Sequence, residues 1–299
     1  MKYILLLLLI PFYSISQDKI MLETYLTGDN SYQQSIKQYI GYDKNIIIHS
    51  KDTTKPDKVL DVTPMMGYRY YYYDKVDNTF SDFRVNLKYK HNKNVLVNIN
   101  TSILNSKDWN PIFFDGFIRY NKGRYSVESY IENESVGTPK TNQLRYYSKS
   151  IGTSLDFKIS KKFTIVNSIT YNKISDGNDR WFQTSRLIYT INQKSYLDLK
   201  FKHMLGSDWS PYYFSPESIT QYNIGYGLYK PIFKDKAIIK FYFGSGFQLI
   251  NKDKMLMLNS DLKLSRTFNR KWYGEVSISS RNFNDYIYNT MNIKLAYNL

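Results

Sequence analysis

Two short segments of this sequence repeat a set of residues that could bind a sugar. DWNPIFF begins at Asp108 and DWSPYYF begins at Asp208, so both copies contain Asp-Trp-x-Pro and a closing Phe. A tryptophan ring offers an apolar face for a sugar ring, and a carboxylate accepts hydrogen bonds from hydroxyl groups. The alternative is a structural turn, in which Asp caps the chain reversal and Pro ends strand pairing. The candidate saccharide contacts are Asp108, Trp109, Trp181, Asp208, Trp209 and Tyr213.

Hydrolytic chemistry has few candidates, because the chain has three histidines and no cysteine. A histidine that activates a serine, oriented by an acidic residue, is the usual arrangement of a nucleophilic hydrolase. His203 is the one candidate, with Ser207 and Asp208 close by, whereas His91 lies in a short turn and His49 precedes the patterned region. Metal clusters, phosphate loops and nucleotide motifs are absent from the sequence. We therefore expect no catalytic residue, no metal and no cofactor.

The N-terminus has the pattern of a secretory signal peptide. Lys2 gives a positive start, residues 4–11 form a short apolar core, and Ser14-Ile15-Ser16 is a small-x-small cleavage site. The apolar run is far shorter than the roughly 20 residues that a membrane helix needs. We predict a signal peptide over residues 1–16 and an exported mature chain without disulfides.

The elements that must position these residues are strands. The mean hydropathy is -0.49 and 22% of residues are charged, yet 17% are aromatic, including 30 Tyr and 17 Phe. Apolar and polar residues alternate over residues 83–90 and, apart from Ala296, over residues 291–299, which is the period of a strand with two different faces. A transmembrane β-barrel explains both observations, because its strands alternate apolar-out with polar-in and aromatic girdles mark its interfaces.

The connections predict how this barrel is built. Short basic or Asn-rich turns alternate along the chain with mostly longer polar loops. This order predicts an antiparallel up-and-down barrel of about 14 strands (12–16) over residues 62–299. Residues 17–61 are open to three interpretations: a plug, a periplasmic arm or two further strands. We favour an N-terminal periplasmic arm or plug.

The chain is strongly basic, with a formal net charge of +15. Basic side chains in a pore favour anions. Two alternatives are a lysine-rich composition from an AT-rich genome and contact with lipopolysaccharide phosphates at the rim. The alternation assigns these basic residues to the lumen: Arg84, Lys88, Arg119, Arg124, Arg186, Lys200, Lys202, Lys240, Lys263, Arg281 and Lys294.

One segment resembles a known class of outer-membrane barrels. Tyr213-Phe214-Ser215-Pro216, followed by YNIGYGLYKP over residues 222–231, is similar to the barrel domain of exopolysaccharide export porins and to the shorter YaiO-like barrels. The likeness covers the barrel, and its specific part is only some twenty residues. The helical repeats of the large exporters do not fit into residues 17–60, because three repeats of roughly 34 residues would be needed.

Two functions remain open from the sequence. The first is an outer-membrane pore, or export-associated channel, for anionic or saccharide-like solutes in a Gram-negative envelope. The alternative is a non-conducting structural or partner-binding barrel within a larger envelope complex. The expected partners are outer-membrane lipid and lipopolysaccharide, with polysaccharide or other envelope proteins as further candidates; nucleic acid is not expected.

Overall fold

The computed structural model describes residues 18–48, 58–92, 94–233, 237–268, 271–284 and 286–299, and in these ranges the chain forms one closed antiparallel barrel of 16 strands. The predicted signal peptide and His49 lie outside the described residues. The strands are β1 (Lys19–Asp29), β2 (Gln34–Ile48), β3 (Lys58–Tyr73), β4 (Val76–Lys90), β5 (Val95–Asn105), β6 (Ile112–Lys122), β7 (Tyr125–Ser135), β8 (Tyr147–Lys158), β9 (Phe163–Ile174), β10 (Asp179–Asn192), β11 (Ser195–Gly206), β12 (Ser218–Ile232), β13 (Ala237–Ile250), β14 (Asp253–Thr267), β15 (Trp272–Phe283) and β16 (Tyr286–Asn298).

Every strand pairs with its sequence neighbours, and β1 closes the barrel against β16. The closing register runs from Lys19 opposite Asn298 to Asp29 opposite Tyr288. An N-terminal arm or plug over residues 17–61 is therefore wrong for the described part of that segment, since it supplies β1, β2 and the start of β3. The barrel has two strands more than the predicted 14.

The predicted alternation is confirmed along the strands. On β11, Leu197 and Leu199 are exposed on the outer surface, whereas Asp198, Lys200 and Lys202 line the interior. The outer surface carries many exposed Ile, Leu, Phe and Tyr side chains, as a lipid-facing surface requires. The fold thus gives each strand one apolar face and one polar face that points into the lumen.

The two ends of the barrel differ. One end has two-residue turns after β3 and β13 but long connections over residues 106–111, 136–146 and 207–217; the start of β1 and the end of β16 lie at the other end. The connection over 136–146 contains the helix α1 (Pro139–Gln143), capped by Thr138, whose side chain accepts a hydrogen bond from the backbone N–H of Thr141. No helix among the described residues is long and apolar enough to cross a membrane.

Candidate functional site in the barrel lumen

A large cavity runs along the lumen on the side formed by β10 to β15. Its volume is about 1940 Å³. It extends from Asp29 and Tyr73 at the long-loop end to Tyr229 and Lys240 near the opposite end of their strands. A second cavity of about 500 Å³ lies against β7 to β10 and shares Arg180, Phe182 and Lys202 with the first. Together they leave this half of the lumen unfilled by side chains.

The structure places most of the predicted lumen cations on the inner face. Arg186, Lys200, Lys202, Lys240, Lys263 and Arg281 line the large cavity. Arg84, Lys88, Arg119 and Lys294 also point inwards, on other parts of the wall. Arg124 is wrongly assigned: it lies in the exposed turn between β6 and β7, where the chain reverses and the alternation of faces no longer applies.

Some of these cations have counterions and others do not. Arg186 binds Asp198 through two hydrogen bonds of 3.1 and 2.8 Å. Similar pairs join Lys263 to Glu275 at 2.6 Å and Arg281 to Asp261 at 2.8 Å. Within the described part of the chain, no carboxylate lies within ion-pair distance of five cavity-lining cations: Lys140 of α1, Arg180, Lys200, Lys202 and Lys240. The cavity therefore has an excess of uncompensated positive charge.

A buried polar network fills the half of the lumen that lies against β2 to β7. Arg69 of β3 donates hydrogen bonds to Asp82 (2.7 Å), Ser102 (2.9 Å) and, four strands away, Glu134 of β7 (2.5 Å). Tyr39 adds a 2.8 Å hydrogen bond to Asp82. Because Arg69 joins strands that are not neighbours, its side chain bridges the interior and restricts the open lumen to the side lined by the cavity.

Two of the long connections meet above the cavity. The Thr138 hydroxyl donates to the backbone oxygen of Tyr212 at 3.2 Å, which joins the α1 connection to residues 207–217. The second connection is fixed from below by Tyr213, whose hydroxyl donates to Asp176 at 2.7 Å. Burial, together with this bond to a carboxylate, raises the pKa of Tyr213 to about 12. Tyr213 is therefore an anchor of the loop, with its ring under the Arg180 guanidinium.

The two DW-x-P segments have different environments. Trp109 packs edge-to-face on Phe80 and Phe113, which are two of the four residues of a buried cluster from β3 to β6. Trp209 is 75% exposed at the mouth. Both aspartates, Asp108 and Asp208, are exposed. Trp109 thus serves packing in this structure, while Trp209 keeps an accessible ring.

Trp181, one of the candidate saccharide contacts, lies on a strand and faces away from the lumen. It is the third residue of β10 and is 51% exposed on the outer surface. The centroid of its ring lies 4.9 Å from that of Tyr171 of β9. An outward aromatic at a strand end belongs to the interfacial girdle of a membrane barrel. His203 is also outward, and its Nδ1 lies 2.9 Å from the Thr220 hydroxyl rather than beside Ser207 or Asp208.

Two tyrosines inside the cavity, and the glycines that make room for them, were not predicted from the sequence. Tyr196 and Tyr242 line the cavity, next to inward glycines of β12 and β13. The signal was present, because Gly225-Tyr226-Gly227 and Gly244-Ser245-Gly246 place glycine at every second position of two strands. Alternate glycines leave one face of a strand without side chains.

Comparison with known proteins identifies the fold. No protein-family model matches the sequence, and neither does any curated protein. A solved bacterial polysaccharide outer membrane secretin is similar over 96% of this chain and 100% of its own, with 9% identity and a TM-score of 0.71. OccK11 (OpdR) of Pseudomonas aeruginosa is similar over 95% of this chain and 96% of its own, with 10% identity and a TM-score of 0.52. These neighbours are outer-membrane β-barrels, and this chain has their fold.

Proposed function

We propose that this protein is an outer-membrane pore that prefers anionic solutes. The observation that carries the proposal is the cluster of cavity-lining cations without counterions, above all Lys200 and Lys202 on β11. A cation that lines a pore attracts anions, and it does so most strongly where no carboxylate neutralises it. Passage, rather than catalysis, is the activity that such a lumen serves.

A composition rich in lysine would spread positive charge evenly, and the arrangement of charge here is uneven. In the half of the lumen wall formed by β2 to β7, Arg69, Arg84 and Arg119 all lie within 4.0 Å of a carboxylate, while Lys88 of β4 has no such partner among the described residues. On the cavity side, Arg180, Lys200, Lys202 and Lys240 have no such partner among the described residues. This concentration of unpaired charge on the open side supports selection for anion passage.

Ion selectivity in planar bilayers tests the proposal. Purified protein in a potassium chloride gradient should conduct, and its reversal potential should lie closer to the equilibrium potential of chloride than to that of potassium. The double variant Lys200→Gln/Lys202→Gln should shift that potential towards the non-selective value, because it removes two unpaired charges from the cavity. Lys88→Gln is the matched control, since Lys88 faces the lumen outside this cavity and should shift it much less. A cation-selective channel would refute the proposal.

A non-conducting, partner-binding barrel is the second candidate. The Arg69–Glu134 ion pair supports it, because this ion pair crosses the interior and fills one half of the lumen with side chains. Both functions share the barrel and differ in whether the remaining space is continuous for ions. The absence of any current from correctly folded protein would favour this second function over the pore.

We also propose a role associated with polysaccharide export, in the manner of the exopolysaccharide and YaiO-like barrels that the segment over residues 213–231 resembles. The fold similarity to the polysaccharide secretin supports this proposal at the level of architecture. An export role predicts that deletion of the gene lowers the polysaccharide on the cell surface. Unchanged surface polysaccharide would separate this proposal from simple solute passage.

The proposed location in the bacterial outer membrane includes an orientation. The connections at the long-loop end should face the cell exterior, since outer-membrane barrels have short periplasmic turns. Gly137 and Gly123 lie at opposite ends, and both have open space around them. An epitope inserted after Gly137 should be labelled on intact cells, whereas one after Gly123 should be labelled only in lysed cells. Labelling of the second alone would reverse the orientation.

A further inference from the structure

Four glycines leave a bare strip on the inner wall of the cavity. Gly225 and Gly227 lie on β12, Gly244 and Gly246 lie on β13, and Gly225 is directly opposite Gly244. All four occupy positions whose side chains would point into the lumen, because they share register with the inward residues Asp198 and Tyr242. Such a strip lets other groups approach the backbone closely.

Two tyrosines occupy this strip. A Cβ atom at Gly225 would lie 2.2 Å from the Tyr242 hydroxyl oxygen, and one at Gly227 would lie 2.1 Å from Cζ of Tyr196. Both distances are far below van der Waals contact, so these positions need glycine if the rings keep their places. Each ring therefore lies against the wall instead of crossing the lumen, and both tyrosines line the cavity. The result is an aromatic surface along the path through the pore.

Hydrogen bonds fix polar groups beside this surface. The Tyr242 hydroxyl donates to Oδ1 of Asn223 at 2.8 Å, which orients the amide. Nδ2 of Asn223 is then buried and has no hydrogen-bond partner among the described residues; the same holds for Oδ1 of Asn259, opposite Gly244. Buried polar atoms are costly without partners. An unpaired donor and an unpaired acceptor thus lie next to the two aromatic rings, and both side chains line the cavity.

The unpaired cations lie at the same place. Lys200 is directly opposite Asn223 on the neighbouring strand, and Lys202 follows two residues later on the same face. Lys240 lies two residues from Tyr242 on β13. Aromatic rings, amide groups and lysines therefore meet within one patch of the wall, formed by β11 to β14.

From this patch we infer a binding subsite for a carboxylated saccharide, such as a short chain of uronic acid residues. The inference rests on the proposed pore and names its substrate class. A sugar ring has an apolar face for Tyr196 or Tyr242, hydroxyl groups for Asn223 and Asn259, and a carboxylate for Lys200 or Lys240. A small inorganic anion would not use the aromatic rings, and a neutral sugar would not use the lysines.

Binding is measured without any ion current, by calorimetric titration of trigalacturonate into the detergent-solubilised full-length protein. Wild-type protein should bind trigalacturonate more tightly than maltotriose, which lacks carboxylates, and more tightly than citrate, which lacks sugar rings. Tyr242→Leu should weaken binding about tenfold, because an aromatic face contributes up to about 1.5 kcal/mol. Tyr242→Phe keeps the ring and loses the bond that orients Asn223, so it should fall between wild type and Tyr242→Leu.

The chain offers a matched control on another part of the wall. Tyr130 of β7 lies over Gly152 in the same manner, since a Cβ atom at Gly152 would lie 2.6 Å from its ring. It has no part in the β11–β14 patch, so Tyr130→Leu should bind trigalacturonate as wild type does. Gly225→Ala tests the site without removing an aromatic ring, because the added methyl group must displace the Tyr242 hydroxyl; it should weaken binding as Tyr242→Leu does.

The outcomes separate this inference from the proposed function. An anion-selective channel that binds no trigalacturonate would overturn the subsite and leave the pore standing. Equal affinity for maltotriose or for citrate would overturn the assignment to carboxylated saccharides. Equal loss in Tyr130→Leu and Tyr242→Leu would show that the effect is not local to the patch and would also overturn it. Binding with the predicted order in a protein that carries no current would support the subsite and refute the pore.

Discussion

The Arg69 network should be the most stabilising polar feature of the barrel. Arg69→Met keeps most of the side-chain volume and removes three charge-assisted or polar hydrogen bonds at once, those to Asp82, Ser102 and Glu134. The variant leaves the Asp82 carboxylate buried, with a side chain that is fully excluded from solvent. Its remaining partners are two hydroxyl groups and Arg84, whose Nη2 is 3.8 Å away.

The size of the loss follows from this burial. Removing one partner of a buried ion pair costs about 3–5 kcal/mol, since the other charge stays uncompensated. Arg119→Met is the matched control, because Arg119 also pairs with a carboxylate inside the lumen, at 2.5 Å from Glu128, but its side chain is 42% exposed. A pair exposed to water contributes about 0–1 kcal/mol. The two variants should therefore differ by about 3 kcal/mol in the free energy of unfolding.

Urea unfolding in lipid vesicles, followed by tryptophan fluorescence, measures both variants against wild type. The double variant Arg69→Met/Asp82→Leu should recover part of the loss, because it removes the stranded carboxylate together with its partner. Equal costs for Arg69→Met and Arg119→Met would refute the reasoning. No recovery in the double variant would show that the loss comes from packing instead of charge.

Three further predictions concern the two DW-x-P segments, the two faces of the strands and the 207–217 connection. Trp109→Ala should cost about 2–3 kcal/mol in urea unfolding, because its ring packs on two phenylalanines, whereas the exposed Trp209→Ala should cost under about 0.5 kcal/mol; the reverse order would contradict the assignment. Leu199→Arg, on the outer surface, should cost about 2–4 kcal/mol in lipid, whereas the adjacent Lys200→Gln should be nearly neutral; equal tolerance would mean that the faces are wrong. Burial and the carboxylate partner raise the pKa of Tyr213 to about 12, above the ordinary tyrosine value of about 10. The hydrogen bond from the Tyr213 hydroxyl therefore stabilises the loop fully below pH 10, and this stabilisation is lost as the pH rises to 12. Limited proteolysis should show that cleavage of the 207–217 connection increases between pH 10 and pH 12. In Tyr213→Phe this increase should be absent.

The fold class could be predicted from the sequence because the direction of a strand side chain is a local property. Successive residues of a strand point to opposite faces whatever lies next to them, so Lys200 and Leu199 could be assigned before any pairing was known. Arg124 marks the limit of this argument. It lies one residue before β7, where the chain is still in a turn and alternation has no meaning.

The number of strands depended on pairing between distant parts of the chain. β1 carries polar and apolar residues on both faces, with Met21 and Tyr25 inside and Thr24 outside, so its own pattern is weak. Its strand conformation is stabilised by hydrogen bonds to β16, at the other end of the sequence. Closure of the barrel removes both edges, and that requirement is not visible in either segment alone.

The sequence by itself therefore determined the barrel, its two faces and the excess of basic side chains in the lumen, because each depends on residue type and on the two-residue period. Only the tertiary structure decided which charges are neutralised and which aromatic rings are accessible. Arg69 meets Glu134 from four strands away, and Trp109 packs on Phe80 and Phe113 while the same motif leaves Trp209 exposed. Charge compensation and burial are set by neighbours from other strands, and those neighbours exist only once the barrel has closed.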